Sequence, residues 1–217
     1  MKIYLVRHGE TDWNQAGLLQ GQTDIALNAQ GLEQAHDAAE RLKKVPFEIA
    51  FCSPLIRAKR TAEIIIGDRK ITLTTDERLR ELNFGPWEGV DIRTIKDAAS
   101  QPFTNPGSYI PPAGAESFAQ LYKRSGEFVD QVLLPLEGTY ETVLVVAHGG
   151  VNRSILNPVL NIFPSMISGG CIWATVLLRF STVQMENCPC WNIRIARVPM
   201  RRASCCEGFA EILGVLA

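Results

Sequence analysis

The chain of 217 residues carries 22 lysine and arginine residues against 23 aspartate and glutamate residues, for a formal net charge of −1. This balance excludes a general attraction to nucleic acid or to an anionic membrane, so a cationic site has to be local. Signal-peptide features and long apolar runs are absent, which predicts a cytoplasmic protein without a membrane partner. Its six cysteines are expected to stay reduced. We expect one domain over residues 1–198 and a tail of unknown role over residues 199–217.

The N-terminal stretch predicts a strand, a helix and a second strand. Residues Lys2 to Val6 form a β-rich apolar run that suits a central, buried strand. Asn28 is a plausible cap for a helix that runs to about Lys44, with an apolar face formed by Leu32, Ala35, Ala39 and Leu42. The run "EIAFC" then predicts the second strand.

Another helix and a third strand follow. Ser53 and Pro54 predict a cap and a first-turn proline, and the helix that they begin is expected to stop at Gly67. The run "KITLTT" predicts a strand that leads toward Glu81. Beyond it, residues 99–115 contain four prolines and two glycines, which predict a surface loop that can act as a lid.

The C-terminal half continues the alternation of strands and helices. Residues 116–136 resume a helical period, "TVLVVA" is the most strand-like run, and a helix from about Val151 to Leu160 follows. The run "ATVLLRFSTVQMENCPCWNIRIARV" predicts two strands joined by a polar, proline-containing turn. We therefore expect an α/β fold, with a three-layer α/β/α architecture, a largely parallel central sheet and an antiparallel C-terminal edge hairpin.

Polar residues follow the predicted strands at the point where each strand ends. They are Arg7, His8 and Gly9 after the first strand, Ser53, Pro54 and, one helical turn further on, Arg57 after the second, Glu81 after the third, and His148, Gly149 and Gly150 after "TVLVVA". Because open α/β sheets bind ligands at the carboxyl ends of their strands, these residues should converge on one edge. The glycines would let an oxygen-rich group approach backbone N–H donors at helix starts.

Five sequence blocks in this order resemble the histidine phosphatase superfamily, which includes cofactor-dependent phosphoglycerate mutases and many phosphomonoesterases. The blocks are "RHGETDWN", "LNAQGLEQA", "SPLIRAKRTAE", "ELNFGPWEG" and "AHGG", and the likeness runs from Lys2 to about Leu160. The "RHG" triplet recurs by chance, whereas five blocks in the family's order form a specific signal. The block "ELNFGPWEG" is similar to that of the phosphatase branch.

The resemblance implies a role for each residue of the site. His8 would be the nucleophile that becomes phosphorylated, and Glu81 would act first as general acid and then as general base. Both belong to an expected catalytic set of His8, Glu81, Arg7, Arg57 and His148. The expected substrate-binding set is Arg7, Asn14, Gln20, Gly21, Arg57, His148 and Gly149. No cofactor is expected.

Phosphoryl-transfer chemistry gives these residue types a physical reason. A phosphate monoester dianion repels nucleophiles, so cations must surround its oxygens before in-line attack, and forked guanidinium groups match that geometry. Neighbouring cations disfavour the imidazolium form of His8, which keeps a lone pair available near neutral pH. Glu81 can protonate the leaving alkoxide and then activate water. Glu88 lies in the same block and is its rival, but the position after the third strand and the family pattern favour Glu81.

Several polar residues have ordinary structural explanations. A lone histidine at a strand end is more often a structural hydrogen-bonding residue than a nucleophile, and the second histidine block is what changes this for His8. His36 lies in an amphipathic helix and is expected at the surface, as are Lys59 and Arg60. Arg153 is close enough to reach the pocket mouth, but we expect it on the helix surface.

Common metal-binding motifs do not occur in the sequence, so we expect no metal. The remaining candidate ligands are cysteines near the C-terminus, namely Cys188, Cys190, Cys205 and Cys206. Their C-x-C and C-C spacings are unlike those of zinc knuckles, and reduced thiols are the expectation.

Three functions remain open from the sequence. They are a metal-independent phosphatase that hydrolyses small phosphate monoesters through a phosphohistidine, a cofactor-dependent phosphoglycerate mutase, and a non-catalytic phosphate-binding or interaction protein. The segment between Glu81 and His148 is compact. By the family resemblance, mutases carry a long segment here that covers the pocket, so the short segment favours the phosphatase.

The expected partner is a small phosphorylated metabolite, such as a sugar phosphate, phosphoserine or a nucleoside monophosphate. The proline-rich loop and the helix that begins near Glu116 are expected to select it, since loops vary without changing the phosphate chemistry. An exposed hairpin edge would suit a homodimer.

Overall fold

The computed structural model describes residues 1–95, 109–160, 173–179 and 182–186. Within these residues six β-strands and five α-helices form, in the chain order β1 Lys2–Arg7, α1 Asp12–Ala16, α2 Ala29–Leu42, β2 Ile49–Cys52, α3 Ile56–Ile66, β3 Thr72–Thr75, α4 Phe118–Phe128, β4 Thr142–Ala147, α5 Gly149–Leu160, β5 Trp173–Arg179 and β6 Thr182–Glu186. Short 3-10 helices lie at Glu77–Leu79 and Gly85–Trp87, and a π-helical turn, Val129–Leu133, continues α4 into a 3-10 turn, Leu134–Leu136.

The strands form one sheet in the order β3-β2-β4-β1-β5-β6. The first four strands of this order are parallel, with Lys2 opposite Thr142 and Ile49 opposite Val143. β5 pairs antiparallel with β1, and β6 pairs antiparallel with β5. The carboxyl ends of β2, β4 and β1 therefore lie side by side, and the segments that follow these strands start from one edge of the sheet.

Helices cover both faces of the parallel strands. Along β4, Val143 and Val145 pack into a core with residues of α4 and α5, whereas Leu144 and Val146 pack into a second core with residues of α2 and α3. Every residue of β4 is buried, as expected for a parallel strand that is covered on both faces. The predicted α/β fold, with a parallel sheet flanked by helices, is confirmed.

The helix predicted from Asn28 forms as α2. The Asn28 side chain accepts a hydrogen bond from the Gly31 N–H at 2.8 Å and caps the helix as predicted. The buried face differs from the predicted one, because Leu32 is exposed and the residues that pack inward are Gly31, Ala35, Ala38 and Leu42.

The predicted cap of α3 is wrong, although the helix ends before Gly67 as predicted. α3 begins at Ile56 after Leu55, which makes no side-chain capping bond. Ser53 lies two residues earlier, where its Oγ accepts a hydrogen bond from the Leu55 N–H at 3.3 Å. No prediction covered α1, whose capping box begins at Thr11.

Some predicted segments lie partly or wholly outside the described residues. Residues 109–115 of the proline-rich loop form neither helix nor strand, and residues 99–108 of that loop lie outside. The proline-containing turn predicted near the C-terminus, the strand after it and the tail lie outside as well, as do Cys188, Cys190, Cys205 and Cys206. None of the helices in the described part of the chain combines the length and the apolar character that a membrane span requires.

Two glycines let the loop after β1 pack against the start of α2. A Cβ atom at Gly9 would lie 2.3 Å from the Gly31 carbonyl oxygen, and a Cβ atom at Gly31 would lie 2.0 Å from the Glu10 carbonyl oxygen. The Asn28 N–H also donates to the Glu10 carbonyl oxygen at 3.0 Å. Side chains cannot enter these contacts without moving backbone, so α2 is a rigid support for the loop that carries His8.

Replacing Gly31 by alanine tests this contact. Gly31→Ala should lower the free energy of unfolding by about 1–3 kcal/mol, because the loop backbone has to move to admit the methyl group. Gly126→Ala in α4 is the matched control, since among the described residues no atom beyond its chain neighbours and its own helix backbone lies within 4 Å of its Cβ position. Helix propensity should make that variant more stable by about 0.5–1 kcal/mol. Urea unfolding measures both, and a Gly31→Ala variant as stable as the wild type would contradict the contact.

Candidate active site

The segments that follow the parallel strands line one cavity of about 270 Å³. The predicted site residues that line it are Arg7, His8, Asn14, Gln20, Gly21, Arg57, Glu81 and Gly149. His148 is fully buried and packs against His8, with the two ring centroids 5.0 Å apart. The structure therefore brings the predicted residues together, with His148 packed against His8 rather than among the residues that line the cavity.

His8 is fixed in one tautomer by its own loop. Its Nδ1 lies 2.7 Å from the Gly9 carbonyl oxygen, which can only accept, so Nδ1 carries the proton and donates. Nε2 therefore keeps its lone pair, and it accepts a hydrogen bond from Arg57 Nε at 3.3 Å. The unprotonated ring nitrogen of His8 thus lies beside a guanidinium group.

Arg57, in the first turn of α3, is held by neutral acceptors. Its two terminal nitrogens donate to the carbonyl oxygens of Thr23 and Gly21, each at 2.7 Å, and the residue is 1% exposed. Burial lowers the pKa of Arg57 to about 10, so the group stays charged at neutral pH. Among the described residues Arg57 forms no ion pair, which leaves its charge available to a ligand.

The side chains of Arg7 and Glu81 both lie close to Gly149. A Cβ atom at Gly149 would lie 3.8 Å from both Arg7 Nε and Glu81 Oε2. Arg7 Nε is buried and has no hydrogen-bond partner among the described residues. A buried donor without a partner is unfavourable, so a hydrogen bond from Arg7 Nε would stabilise an anion bound in the cavity.

The start of α5 fixes the carboxylate of Glu81. The carboxylate accepts hydrogen bonds from the Gly150 N–H at 3.0 Å and from the Leu82 N–H at 2.8 Å. A Cβ atom at Gly150 would lie 2.4 Å from Glu81 Oε1, so a side chain there would displace the carboxylate from this position. Glu81 thus presents its carboxylate to the cavity from a defined position.

Glu88, the rival of Glu81, has a structural role instead. Its carboxylate accepts hydrogen bonds from the backbone N–H groups of Gln22 and Thr23, both at 2.8 Å, from that of Phe84 at 3.2 Å, and from the Thr23 hydroxyl. These contacts hold the backbone whose Thr23 carbonyl oxygen accepts from Arg57. Glu88 therefore fixes the backbone segment that positions Arg57 in the cavity.

The remaining predicted phosphate-pocket residues contribute differently. Asn14 Oδ1 accepts from the Thr11 N–H and the Thr11 hydroxyl, both at 3.2 Å, so the Asn14 amide nitrogen is the group left for a ligand. Gln20 is 8% exposed, and its Oε1 has no partner within the described part of the chain. Gly21 has a φ of 54°, a left-handed conformation that favours glycine, and it directs its carbonyl oxygen at Arg57.

His148 uses one ring nitrogen in a buried contact. Its Nε2 lies 2.8 Å from Ser53 Oγ, and both residues are 0% exposed. Its Nδ1 is buried and has no partner among the residues that are described. Sequence reasoning placed Ser53 at the end of the second strand but gave it no role in the site, because its position before Pro54 resembled a helix cap.

Arg153 also lines the cavity, which corrects its predicted place on the helix surface. Its Nε is buried without a partner in the described structure, and burial lowers the pKa of the guanidinium group. Arg153 lies three residues after Gly150, and residues at this spacing share a helix face. That spacing was the signal from which its position could have been predicted.

An apolar wall completes the cavity beyond Glu81. Its members come from distant segments, namely Leu18, Leu82, Phe84, Ile92, Phe118 and Tyr122. Phe118 and Tyr122 belong to α4, the helix that was expected to select the substrate, whereas sequence reasoning did not identify the others. The cavity therefore has a cationic end, formed by the arginines that follow the strands, and a mainly apolar remainder.

The residues predicted to lie outside the site do so. His36, Lys59 and Arg60 are exposed, as expected.

Over residues 1–95, 109–160 and the two C-terminal strands, no three His, Cys, Asp or Glu side chains form a group that could hold a metal ion.

Both histidines of the site are held neutral. Burial is the largest cause that lowers the pKa of His8, followed by the positive charges of Arg57 and Arg7. Burial also dominates for His148, followed by His8 and the arginines, and both pKa values lie well below the ordinary 6.5. A neutral imidazole with a free lone pair can act as a nucleophile at pH 7.

Comparison with known proteins agrees with this geometry. Residues 3–177 match the histidine phosphatase superfamily, branch 1. The adenosylcobalamin/alpha-ribazole phosphatase of Escherichia coli is 30% identical over 197 residues, which are 86% of this chain and 96% of that protein. The metal-independent phosphoserine phosphatase of Arabidopsis thaliana is 40% identical over 162 residues, 71% of this chain and 66% of that protein. The solved structure of Bacillus stearothermophilus YhfR has a TM-score of 0.75 and 31% identity, and the match covers 85% of this chain and 95% of that chain.

The family match spans all four parallel strands and every residue that lines the cavity. The fold and the site together define a phosphatase, a phosphoric monoester hydrolase. The chain belongs to branch 1 of the histidine phosphatase superfamily.

Stability should decrease as the pH falls below about 6.5, the ordinary histidine pKa. Below that pH His8 and His148 become protonated in the unfolded chain, whereas both rings stay neutral in the folded protein. Because the unfolded state then binds more protons, its free energy falls relative to that of the folded state. Each histidine contributes at most about 1.4 kcal/mol per pH unit. Urea unfolding between about pH 7.5 and 5.5 measures the slope.

Single variants assign this slope to its residues. His148→Asn should reduce the slope, whereas His36→Asn is the control and should leave it unchanged because His36 is exposed. Equal slopes in both variants and the wild type would contradict the burial of neutral histidines as the cause.

Proposed function

We propose that the enzyme hydrolyses small phosphate monoesters through a phosphohistidine on His8, without a metal or another cofactor. The observation that carries this proposal is the orientation of His8. Its Nδ1 is tied to the Gly9 carbonyl oxygen at 2.7 Å, so Nε2 keeps a lone pair beside the Arg57 guanidinium group. A nucleophile and a cation that can hold its target are thus next to each other in one cavity.

In the first step the phosphoryl group enters between the cations. Arg7 and Arg57 neutralise its oxygens, and His148 binds one of them. His8 Nε2 then attacks the phosphorus in line, so that the N–P bond forms as the P–O bond to the leaving group breaks. Glu81, in its protonated form, gives its proton to the leaving oxygen.

In the second step water replaces the departed alcohol. The Glu81 carboxylate removes a proton from this water, and the water oxygen attacks the phosphorus. The N–P bond breaks and its electron pair returns to His8 Nε2, while inorganic phosphate leaves. His8 is then neutral again and Glu81 is protonated for the next cycle.

The phosphate pocket is completed by groups that the folded chain leaves available. The Asn14 amide nitrogen and the Gln20 side chain provide neutral polar contacts, while Gly21 and Gly149 keep the approach free of side chains. These residues position the phosphoryl group, whereas the arginines supply the charge.

The leaving group would occupy the apolar part of the cavity, beyond Glu81. That wall suits an alcohol with an apolar or aromatic portion, and Arg153 offers a cation to a carboxylate or another anionic substituent. Nucleoside monophosphates and phosphorylated amino acids fit this combination better than sugar phosphates. The alpha-ribazole phosphatase and phosphoserine phosphatase among the relatives support the same classes.

A phosphoglycerate mutase would use the same residues and return the phosphoryl group to a bound sugar acid. The compact segment between Glu81 and His148 supports hydrolysis, and every reactive position is filled, which speaks against a non-catalytic binding protein. Turnover of 3-phosphoglycerate in EDTA, with and without 2,3-bisphosphoglycerate, distinguishes the two reactions. Phosphate release without the bisphosphate supports the phosphatase, whereas bisphosphate-dependent isomerisation would indicate the mutase.

Three further expectations stay predictions. They are a cytoplasmic location, a homodimer through an exposed hairpin edge, and a domain that extends to residue 198 before a tail over residues 199–217. None of them enters the reaction scheme.

His8 should carry the phosphoryl group. After rapid quenching without acid, enzyme mixed with labelled substrate should yield an acid-labile, base-stable phosphate on the peptide that contains Arg7 to Asn14. His8→Ala should abolish the label, because the attacking nitrogen is gone. His148→Ala should slow label formation without moving the label. Label on the peptide that contains His148, or near wild-type turnover in His8→Ala, would refute the proposed nucleophile.

Glu81→Gln should slow turnover more for esters with poor leaving groups than for an activated aryl phosphate, which hardly needs protonation. The loss for poor leaving groups should be about 10²- to 10⁴-fold. Glu88→Gln is the matched control: it weakens the contacts to residues 22 and 23, so any loss should be similar for both substrates. Leaving-group dependence in Glu88→Gln but not in Glu81→Gln would exchange the two roles.

A further inference from the structure

Ser53 lies at the carboxyl end of β2 in direct contact with a histidine of the site. Its Oγ is 2.8 Å from His148 Nε2, and both residues are fully buried. The same Oγ accepts a hydrogen bond from the Leu55 N–H at 3.3 Å. On the imidazole, Nδ1 is buried and has no partner among the described residues.

Counting hydrogens decides which nitrogen of His148 carries the ring proton. A hydroxyl group has one hydrogen to donate and two lone pairs to accept with. If His148 donated from Nε2, the buried Ser53 hydrogen would need another acceptor, and the described residues supply none in hydrogen-bond contact. If Ser53 donates to Nε2, the hydroxyl is satisfied and the ring proton lies on Nδ1, which is then the one buried group of the pair without a partner among the described residues. The other arrangement leaves two such groups, the Ser53 hydrogen and the Nδ1 lone pair.

We propose that Ser53 is a positioning residue that holds neutral His148 in its Nδ1–H tautomer, so that Nδ1 donates a hydrogen bond to a phosphoryl oxygen. The other tautomer would turn a lone pair toward that oxygen and repel it. The acceptor in this inference rests on the proposed function, whereas the tautomer follows from the contacts of the free enzyme.

A neutral donor suits the charge of the site. Arg7 and Arg57 already provide two positive charges, which match the two negative charges of a phosphate monoester. An imidazolium would add a further cation to a cavity that Arg153 also lines, and burial together with the nearby arginines disfavours it. Ser53 thus lets His148 act as a hydrogen-bond donor without adding charge.

The tautomer can be measured directly in the intact protein. The chain has three histidines, so two-bond ¹H–¹⁵N correlation spectra of ¹⁵N-histidine-labelled enzyme contain three ring patterns, which His36→Asn and His148→Asn assign. At pH 7 without substrate, the His148 pattern should be that of a neutral ring protonated on Nδ1. A ring protonated on Nε2, or on both nitrogens, would overturn the proposal whether or not His8 is the nucleophile.

Ser53→Thr and Ser53→Val form a matched pair for the effect on turnover. Both variants add similar bulk, but only threonine keeps a hydroxyl group. Ser53→Val should shift His148 toward the Nε2–H tautomer and lower kcat/KM for an aryl phosphate about 10- to 100-fold relative to Ser53→Thr, the usual loss when a partner that orients a site histidine is removed from a metal site. Ser53→Thr should keep the Nδ1–H pattern.

The pair also separates a tautomer effect from a packing effect. Equal kcat/KM values in two folded variants, or a Nδ1–H pattern that persists in Ser53→Val, would refute the role of the hydroxyl. If either variant fails to fold, the wild-type spectrum still decides the tautomer.

Discussion

The guanidinium group of Arg57 is buried in a shell of neutral acceptors, made by His8 Nε2 and the carbonyl oxygens of Gly21 and Thr23. A cation loses its hydration when it is buried, so hydrogen bonds must replace the water. The backbone that supplies the two carbonyl oxygens is held in turn by Glu88. The left-handed turn, the placement of α3 and the Glu88 carboxylate all help to keep in place a charge that has no ion-pair partner among the described residues.

Unsatisfied polar atoms gather around this charge. Buried polar groups in folded proteins almost always have partners. Within the described residues, the exceptions that belong to the site or adjoin it are Arg7 Nε, Gln20 Oε1, His148 Nδ1 and Arg153 Nε. Their concentration at one place indicates a site that is organised before the ligand arrives, so little rearrangement is needed when an oxyanion enters.

The sequence was sufficient for the parts of the site that topology dictates. Arg7, His8 and His148 could be placed because the carboxyl ends of parallel strands meet at one edge of the sheet. It was insufficient where side chains reach across the fold. Ser53 resembled a helix cap, but its partner lies 95 residues away, and the burial of Arg153 depends on walls built from distant segments. The buried face of α2 was shifted for a similar reason, because the loop after β1 packs on it.

The order of the strands has a consequence for how the protein is made. β1 pairs with β4 on one side and with β5 on the other, and both partners come far later in the chain. Contacts between distant parts of a sequence form slowly, since a long loop has to close before they can. During synthesis β1 therefore has no strand to pair with until β4 has left the ribosome. His8, which directly follows β1, is therefore made long before the strands that complete its surroundings.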